Sequence, residues 1–347
     1  MNPVISSLRR LRGANNEGIL ALVLMALVIG MSIANGTFFT LPTAFAILRG
    51  SIVPLVFALG VLVVIISGGI DVSFAAVAVF AAYSTTRILA NGFDAAGVIA
   101  AFGIALLIGA VLGAVNGVVI SRFRLPTLIV TLGTQGIFKG ALLTFIGSQY
   151  IADLPSSMAA LSTTNVAEVS AQNGQAYLHL FIVPALALAL LLSWILRRTM
   201  FGRAVFAVGD DVEAAHRAGF RVARTQMIVY VLVGAMAALG GMFYVIMGRS
   251  ASPQLLVGSE LDTIAAVMLG GASIFGGRGS VLGTVLGVLL VQVINNSLIL
   301  AGVPSAWQRT AVGLLLVLGV GVQAVAARRR RSRRPLSAQP VLSEAIA

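Results

Sequence analysis

The chain has no cysteine, a single lysine and only two histidines in 347 residues. Without Cys there is no disulfide framework, no thiolate nucleophile and no redox compartment to be read. His179 and His216 stand apart, at the edge of an apolar run and in a polar loop, and the carboxylates do not cluster. Metal and nucleophile constellations are therefore unsupported, and no metal site is expected. A phosphate-binding loop of the form G-x-x-x-x-G-K-[ST] needs a Lys to reach the phosphates. The one lysine, Lys139, follows Phe138 in an apolar run, so no such loop exists. Charge is scarce too, at 10% of residues, against about 25% in a soluble domain. Uphill movement by this protein would draw its energy from a partner or an ion gradient.

What is present is mostly hydrocarbon. Apolar residues make up 59% of the chain and mean hydropathy is +1.02. Ten apolar runs stand at about 18–35, 43–66, 73–90, 95–120, 127–147, 178–196, 226–248, 262–277, 280–301 and 308–327. A helix of ~20 residues crosses ~30 Å of hydrocarbon. The expected fold is all-α, a polytopic helical membrane protein of about ten transmembrane helices. Pro54 interrupts the second run, and Gly270, Gly271, Gly276 and Gly277 interrupt the eighth. Both read as broken or re-entrant. The first run is expected to be a retained helix, although Arg9, Arg10 and Arg12 before it, with Ser32 and Ala34 at its end, also fit a signal peptide.

The net charge of +12 follows topology rather than nucleic-acid binding. With the N-terminus inside and ten spans, 18 arginines fall in inside segments, and four (Arg49, Arg87, Arg249 and Arg309) fall outside. That asymmetry places both termini in the cytoplasm. The resulting organisation is a cytoplasmic N-terminus (1–17), a membrane domain (18–327) and a basic cytoplasmic tail (328–347). The tail, with six arginines between Arg328 and Arg334, reads as a disordered anchor on anionic lipid. Two polar loops interrupt the membrane domain, at 148–177 outside and at 197–225 inside.

An internal echo links Gly109-Ala-Val-Leu-Gly113-Ala-Val-Asn-Gly117 with Gly279-Ser-Val-Leu-Gly283-Thr-Val-Leu-Gly287. Glycine at every fourth position makes one smooth helix face for close packing. The stretches belong to the fourth and ninth runs, as an inverted repeat of five spans plus five would require.

The inside loop runs from Arg197 to Arg224. Asp210 or Asp211 can cap a short helix there, with Glu213 in its first turn and Gly219 ending it. Ala214 and Ala215, with Arg203, Arg217 and Arg221 around them, suit docking into a groove of a soluble partner. A solvated connector whose arginines serve topology alone fits equally.

The pattern Gly202-Arg203, then Gly209-Asp210, then Ala214-Ala215 and Gly219-Phe220, resembles the coupling segment of bacterial ABC importer permeases of the simple-sugar class. Asp210 stands where Asn is usual, and Phe220 where Ile or Val is usual. Ser67-Gly68-Gly69-Ile70-Asp71-Val72-Ser73 is similar to that family's S-G-G-I-D-L-S segment. Glu260-Leu261-Asp262 through Gly270-Gly271, Gly276-Gly277 and Gly279 resembles its second signature, as does the Asn295-Asn296 pair. The likeness covers about residues 18–327. It implies a vitamin B12 importer-type permease fold in the bacterial inner membrane. It also implies a separate cytoplasmic ATPase that binds ATP and Mg, a second permease chain, identical or paralogous, and a periplasmic sugar-binding protein. The chain itself would carry no cofactor and would not be an enzyme. The solute implied is a monosaccharide or related polyol. Another solute, such as a branched-chain amino acid or a furanosyl signal molecule, is the alternative, and an ion-coupled secondary transporter is a further one.

On physical grounds, Gly68-Gly69 can bend the chain, and Asp71 and Ser73 can cap the third helix. A gating role for Asp71 stands beside that structural one. Candidate path residues are intramembrane polar groups, which face a bundle interior or a water-filled cavity. Thr131, Gln135 and Lys139 share one face of the fifth helix, and Gln292 and Asn296 share one face of the ninth, with Asn295 adjacent and Asn116 on the fourth. Inter-helix hydrogen bonding is the competing role for each.

Overall fold

The computed structural model describes residues 17–36, 38–93, 97–171, 174–256 and 258–304, with Trp307, Thr310, Gly313, Leu314, Val317 and Gly321 beyond them. The tenth run and the basic tail thus lie largely or wholly outside the described residues. Helices α1 (Glu17–Ala34), α2 (Leu41–Ile66), α3 (Phe74–Ile88), α4 (Gly97–Phe123) and α5 (Thr127–Ala141) come first. A short α6 (Ser156–Ser162) and strands β1 (Asn165–Ala171) and β2 (Gly174–His179) follow, then α7 (Ile182–Arg198), α8 (Met200–Asp210) and α9 (Val212–Arg217). Helices α10 (Val222–Gly248), α11 (Ser259–Leu269) and α12 (Val281–Leu300) complete the order.

Among the described residues, seven helices are long and apolar enough to cross a membrane: α1, α2, α3, α4, α5, α10 and α12, α3 and α5 each counted with a wider terminal turn. Helices α7 and α8 together pass the same test but are bent by 74°. Two expectations change. The second run is unbroken, since α2 continues through Pro54. Proline deletes one backbone donor, but α2 is buried from Ser51 to Ile66, apart from Pro54 itself, and is packed on several sides by its neighbours. The eighth run is interrupted as expected, because α11 stops at Leu269 and an irregular loop follows to Ser280. The all-α expectation is corrected by the outer loop, where β1 and β2 pair antiparallel as a hairpin.

Helix α2 is the axle of the bundle. It packs against α10, α12, α11 and α7, and strand β2 leans on it. Helix α10 packs in turn on α4 and α3. The α4–α10 contact explains the first glycine stripe. A methyl at Gly113 would lie 3.1 Å from the Gly234 Cα and overlap the Tyr230 carbonyl oxygen. The second stripe does the same for α12 on α11, where Gly283 and Gly287 meet the Gly270 and Ala266 carbonyls. Small residues let backbones touch where hydrocarbon supplies no hydrophobic drive. The opposite face of α4 carries exposed Leu107, Val111, Val115 and Val118, as a lipid-facing surface should.

Candidate functional site

The last carbonyls of a helix have no partner within it. At the end of α2 the chain turns at Gly68, whose φ of +85° suits glycine. The Ile66 carbonyl accepts a hydrogen bond from the Gly277 N–H at 2.9 Å. Gly277 belongs to the loop between α11 and α12, more than two hundred residues away. That loop is held by the Ser273 N–H donating to the Arg278 carbonyl and the Gly276 N–H donating to the Ser273 carbonyl, each at 2.9 Å. Gly209, near the end of α8, wedges between the two. A Cβ there would lie 2.8 Å from the Gly277 nitrogen and inside the Ile66 carbonyl oxygen. A Cβ on Gly276 would lie 2.8 Å from the Gly68 Cα. Three sequence motifs, 67–73, 202–219 and 270–279, therefore meet backbone to backbone at one junction. Beside it lies a cavity of about 180 Å³ lined by Ser67, Asp210, Asp211, Gln226, Tyr230 and Phe275 among others.

From this junction α8 leads on to the short, largely exposed α9. Thr199 caps α8 by accepting from the Gly202 N–H, and Asp211 caps α9 by accepting from the Ala214 N–H at 2.9 Å. Of the two aspartates, Asp211 is thus the cap, while Asp210 is the last residue of α8. Glu213 lies in the first turn of α9, and Gly219 follows its end with φ +87°. Arg203, Asp210, Glu213, Ala214 and Gly219 are exposed, while Gly202, Gly209 and Ala215 are buried. Two of the three serve packing within the chain: Gly202 clears the Leu196 carbonyl, and Gly209 clears Ile66. Ala215 is the inward face of α9, not a docking contact as the sequence suggested.

Asp71 is buried, 3% exposed, and accepts from the Ser73 N–H and hydroxyl, each at 2.7 Å. Ser73 occupies the cap position of α3 but makes no side-chain cap bond of its own, so the carboxylate of Asp71 takes that duty. Asn116 Nδ2 donates to the Ser73 hydroxyl at 2.8 Å. Thr131 accepts from the Val72 N–H at 3.4 Å and donates to the Ile70 carbonyl at 3.2 Å. Asn116 and Thr131 thus support the turn after α2. Gln135 donates to buried Glu260 at 2.8 Å, tying α5 to α11. These three polar residues are used between helices. Lys139 is half-buried on α5 and does not line the large cavity.

That cavity, about 880 Å³, lies toward the opposite end of α2 from the glycine junction. Helices α2, α10, α11 and α12 wall it, and strand β2 contributes Tyr177. Gln292 and Asn295 line it, as the sequence suggested, whereas Asn296 does not. Sequence reasoning missed Arg49, Tyr177 and Tyr244 in its wall. Arg49 carried a usable signal, because it sits inside helix α2 rather than in an outer loop. The hairpin that places Tyr177 had none.

His179, at the foot of β2, is buried beside Phe181. Burial first, and then the charge of Arg49, hold its imidazole below the usual histidine range. No group of three or more metal-ligating side chains occurs among the described residues.

The model of a family described as branched-chain amino acid transport system / permease component matches residues 43–320. The chain is 32% identical over 306 residues to the autoinducer 2 import system permease protein LsrC of Yersinia pseudotuberculosis serotype O:3 (strain YPIII). The match covers 88% of this chain and 84% of that protein. The LsrC protein of Yersinia pestis (strain Pestoides F) matches with the same identity and coverage. No solved structure matches. The chain belongs to this permease family, as an integral membrane subunit of an ABC importer and not an enzyme.

Proposed function

We propose that the chain forms the path of an ATP-driven importer for a small, neutral, polyhydroxylated solute. A monosaccharide or a furanosyl signal molecule is the cargo. The observation that carries this reading is the junction of Gly68, Gly209, Gly276 and Gly277. It links α8, which leads into the largely exposed α9, directly to α2, whose other end borders the large cavity. A push on α9 reaches the end of α2 through backbone contacts, with no flexible side chain between. That is the mechanical requirement for an energy source outside the chain.

In this reading α9 docks on a separate ATPase that binds ATP and Mg. Glu213, Ala214, Arg217 and Gly219 are the contact residues, and Gly202, Arg203, Gly209, Asp210 and Ala215 shape and anchor the segment. A second permease chain completes the membrane unit, and a periplasmic binding protein delivers the solute. Ten spans in the inner membrane put both termini in the cytoplasm. Helix packing supports the inverted repeat of a vitamin B12 importer-type fold. The pairs α4–α10, α3–α10 and α3–α4 correspond under a five-span shift to α12–α2, α11–α2 and α11–α12, and all six are in contact. Relatives described as autoinducer 2 import permeases favour the signal molecule within the solute class.

The test is uptake in cells with ATP depleted and the ion gradient clamped. Loss of uptake supports the reading, and persistence replaces it with an ion-coupled transporter. Retention of uptake in cells lacking the ATPase and binding-protein partners would count against it equally.

A further inference from the structure

We propose that the foot of the α4–α10 pair binds the headgroup of an anionic phospholipid. The glycine contacts fix the register of that pair. Gly109 meets Gly234 and Ala238, Gly113 meets Tyr230, and Gly117 meets Met227, so each step forward on α4 is a step back on α10. Continued past Gly117, the same register sets Arg122 level with Arg221 and Val222, and Arg224 level with Ile120. Helix α4 ends at Phe123 and α10 begins at Val222, so these three arginines stand within about 5 Å of one another along the axis, at the foot of the pair. Arg124, where the chain turns with φ +53°, adds a fourth. All four are exposed.

Their direction round the helices matters as much as their level. An α-helix turns about 100° per residue, and two antiparallel helices viewed from one end turn in opposite senses. Counted from the contact of Gly117 with Met227, Arg122 lies about 140° round α4, and Arg224 and Arg221 lie about 60° and 120° round α10. All three rotations lead to the same side of the pair. The exposed residues Leu107, Val111, Val115 and Val118 of α4 and Ile228 of α10 lie on that side too. The arginines therefore stand at the end of an apolar, lipid-facing strip.

Nothing on these helices offsets the charge. No aspartate or glutamate occurs from 95 to 152 or from 214 to 259. Asp71, which reaches α4 through Ser73 and Asn116, is buried and already accepts from Ser73. None of the four guanidinium groups forms an ion pair or hydrogen bond among the described residues. A phospholipid with net negative charge meets both halves of this surface. Its headgroup takes the guanidinium forks, and its acyl chains lie along the valine strip. A zwitterionic headgroup brings its own cation to the same place and gains less. An acidic soluble partner would match the charge and leave the strip unused. In the importer reading the lipid braces α10 where α9 leads into it. That consequence rests on the importer reading; the site itself does not.

The test uses the full chain in phosphatidylcholine vesicles carrying a trace of phosphatidylglycerol with a diazirine in its acyl chain, followed by peptide mapping of the photoadducts. Adducts are expected on the peptide holding Val118 and Phe123 and on the one holding Ile228, in excess over those at exposed Leu190 of α7. Unlabelled phosphatidylglycerol should compete, while phosphatidylcholine and inorganic phosphate should not. Each arginine near an anionic surface is worth about fivefold in affinity, so Arg122→Gln with Arg224→Gln should lower labelling at both peptides about 25-fold and leave Leu190 unchanged. Arg122→Lys with Arg224→Lys keeps the charge and should keep most of the labelling, which separates lost charge from lost fold. Even labelling of α4, α10 and α7, equal competition by phosphatidylcholine, an undiminished glutamine variant or a lysine variant as weak as the glutamine one overturns the proposal. Competition by inorganic phosphate overturns it too, in favour of a site for free anions. Labelling is read without transport, so it stands or falls apart from the ATP dependence of uptake.

Discussion

Gly209→Ala is the sharpest test of the glycine junction. The added methyl would lie 2.8 Å from the Gly277 nitrogen and overlap the Ile66 carbonyl oxygen. Both are backbone atoms, so neither can swing aside like a side chain. The α8 end must move away or the Gly277–Ile66 hydrogen bond, 2.9 Å, must open. Forced overpacking costs about 1–3 kcal/mol and a lost hydrogen bond about 0.5–1.5 kcal/mol, so about 0.5–3 kcal/mol is expected from either response and up to about 4.5 kcal/mol from both. The comparison variant is Gly219→Ala. Its Cβ meets nothing within 4 Å, and only the positive φ is unfavourable, at about 1–2 kcal/mol in an exposed turn. The assay is heat unfolding of the detergent-purified chain, paired with ATPase rate in the assembled importer. Gly209→Ala should unfold several degrees lower than both wild type and Gly219→Ala, and should blunt the stimulation of ATPase by binding protein. A Gly209→Ala protein with wild-type heat stability and wild-type stimulation would refute the junction.

Four further outcomes follow from named contacts. Gly113→Leu should separate α4 from α10 and lower the yield of folded protein in membranes; unchanged yield would mean that face does not pack as described. Gln135→Leu removes the donor to buried Glu260 and should cost about 1.5–3 kcal/mol, much of it recovered in a Gln135→Leu, Glu260→Met double variant measured by denaturation. Asp211→Ala deletes the cap of exposed α9 and should cost about 1 kcal/mol, visible as weakened ATPase binding in pull-down with little change in global unfolding. His179 is held below its usual value of 6.5, so the unfolded chain takes up the proton first. Its contribution is full above pH 6.5 and falls as pH drops below that value, so the unfolding midpoint should decline from pH 7.5 to 5.5, and less steeply in His179→Gln.

Much of the fold was legible because local chemistry settled it. Apolar runs long enough for hydrocarbon mark helices wherever they lie, and α1, α2, α4, α10 and α12 fall close to the runs read from composition. The turn at Gly68, a cap by Asp210 or Asp211 and the stop at Gly219 were legible for the same reason, since each needs a specific residue type within three or four positions, and the structure chose Asp211. Three things were misread. Pro54 looked like a break, and only the helices around α2 show why it is none. Residues 148–177 read only as a polar outer loop, because a two-stranded hairpin has too short a pattern to stand out. Ala215 looked like a docking surface because its burial depends on what α9 rests against.

The candidate path shows the same division at finer grain. Thr131, Gln135 and Asn116 were rightly singled out as polar groups inside the bundle, yet their hydrogen bonds go to Ile70, Glu260 and Ser73. Gln292 and Asn295 carry the same residue chemistry and reach a cavity instead. Sequence by itself determined that this chain is rich in membrane-length apolar runs, has no phosphate-binding loop of the G-x-x-x-x-G-K-[ST] form and carries three glycine-bearing motifs in order, because hydropathy, residue inventory and turn chemistry are local properties. Only tertiary structure decided that Gly68, Gly209, Gly276 and Gly277 touch, and which amides face open space. Those facts depend on how helices hundreds of residues apart approach one another, and the spacing of residues along one strand of chain does not encode that distance.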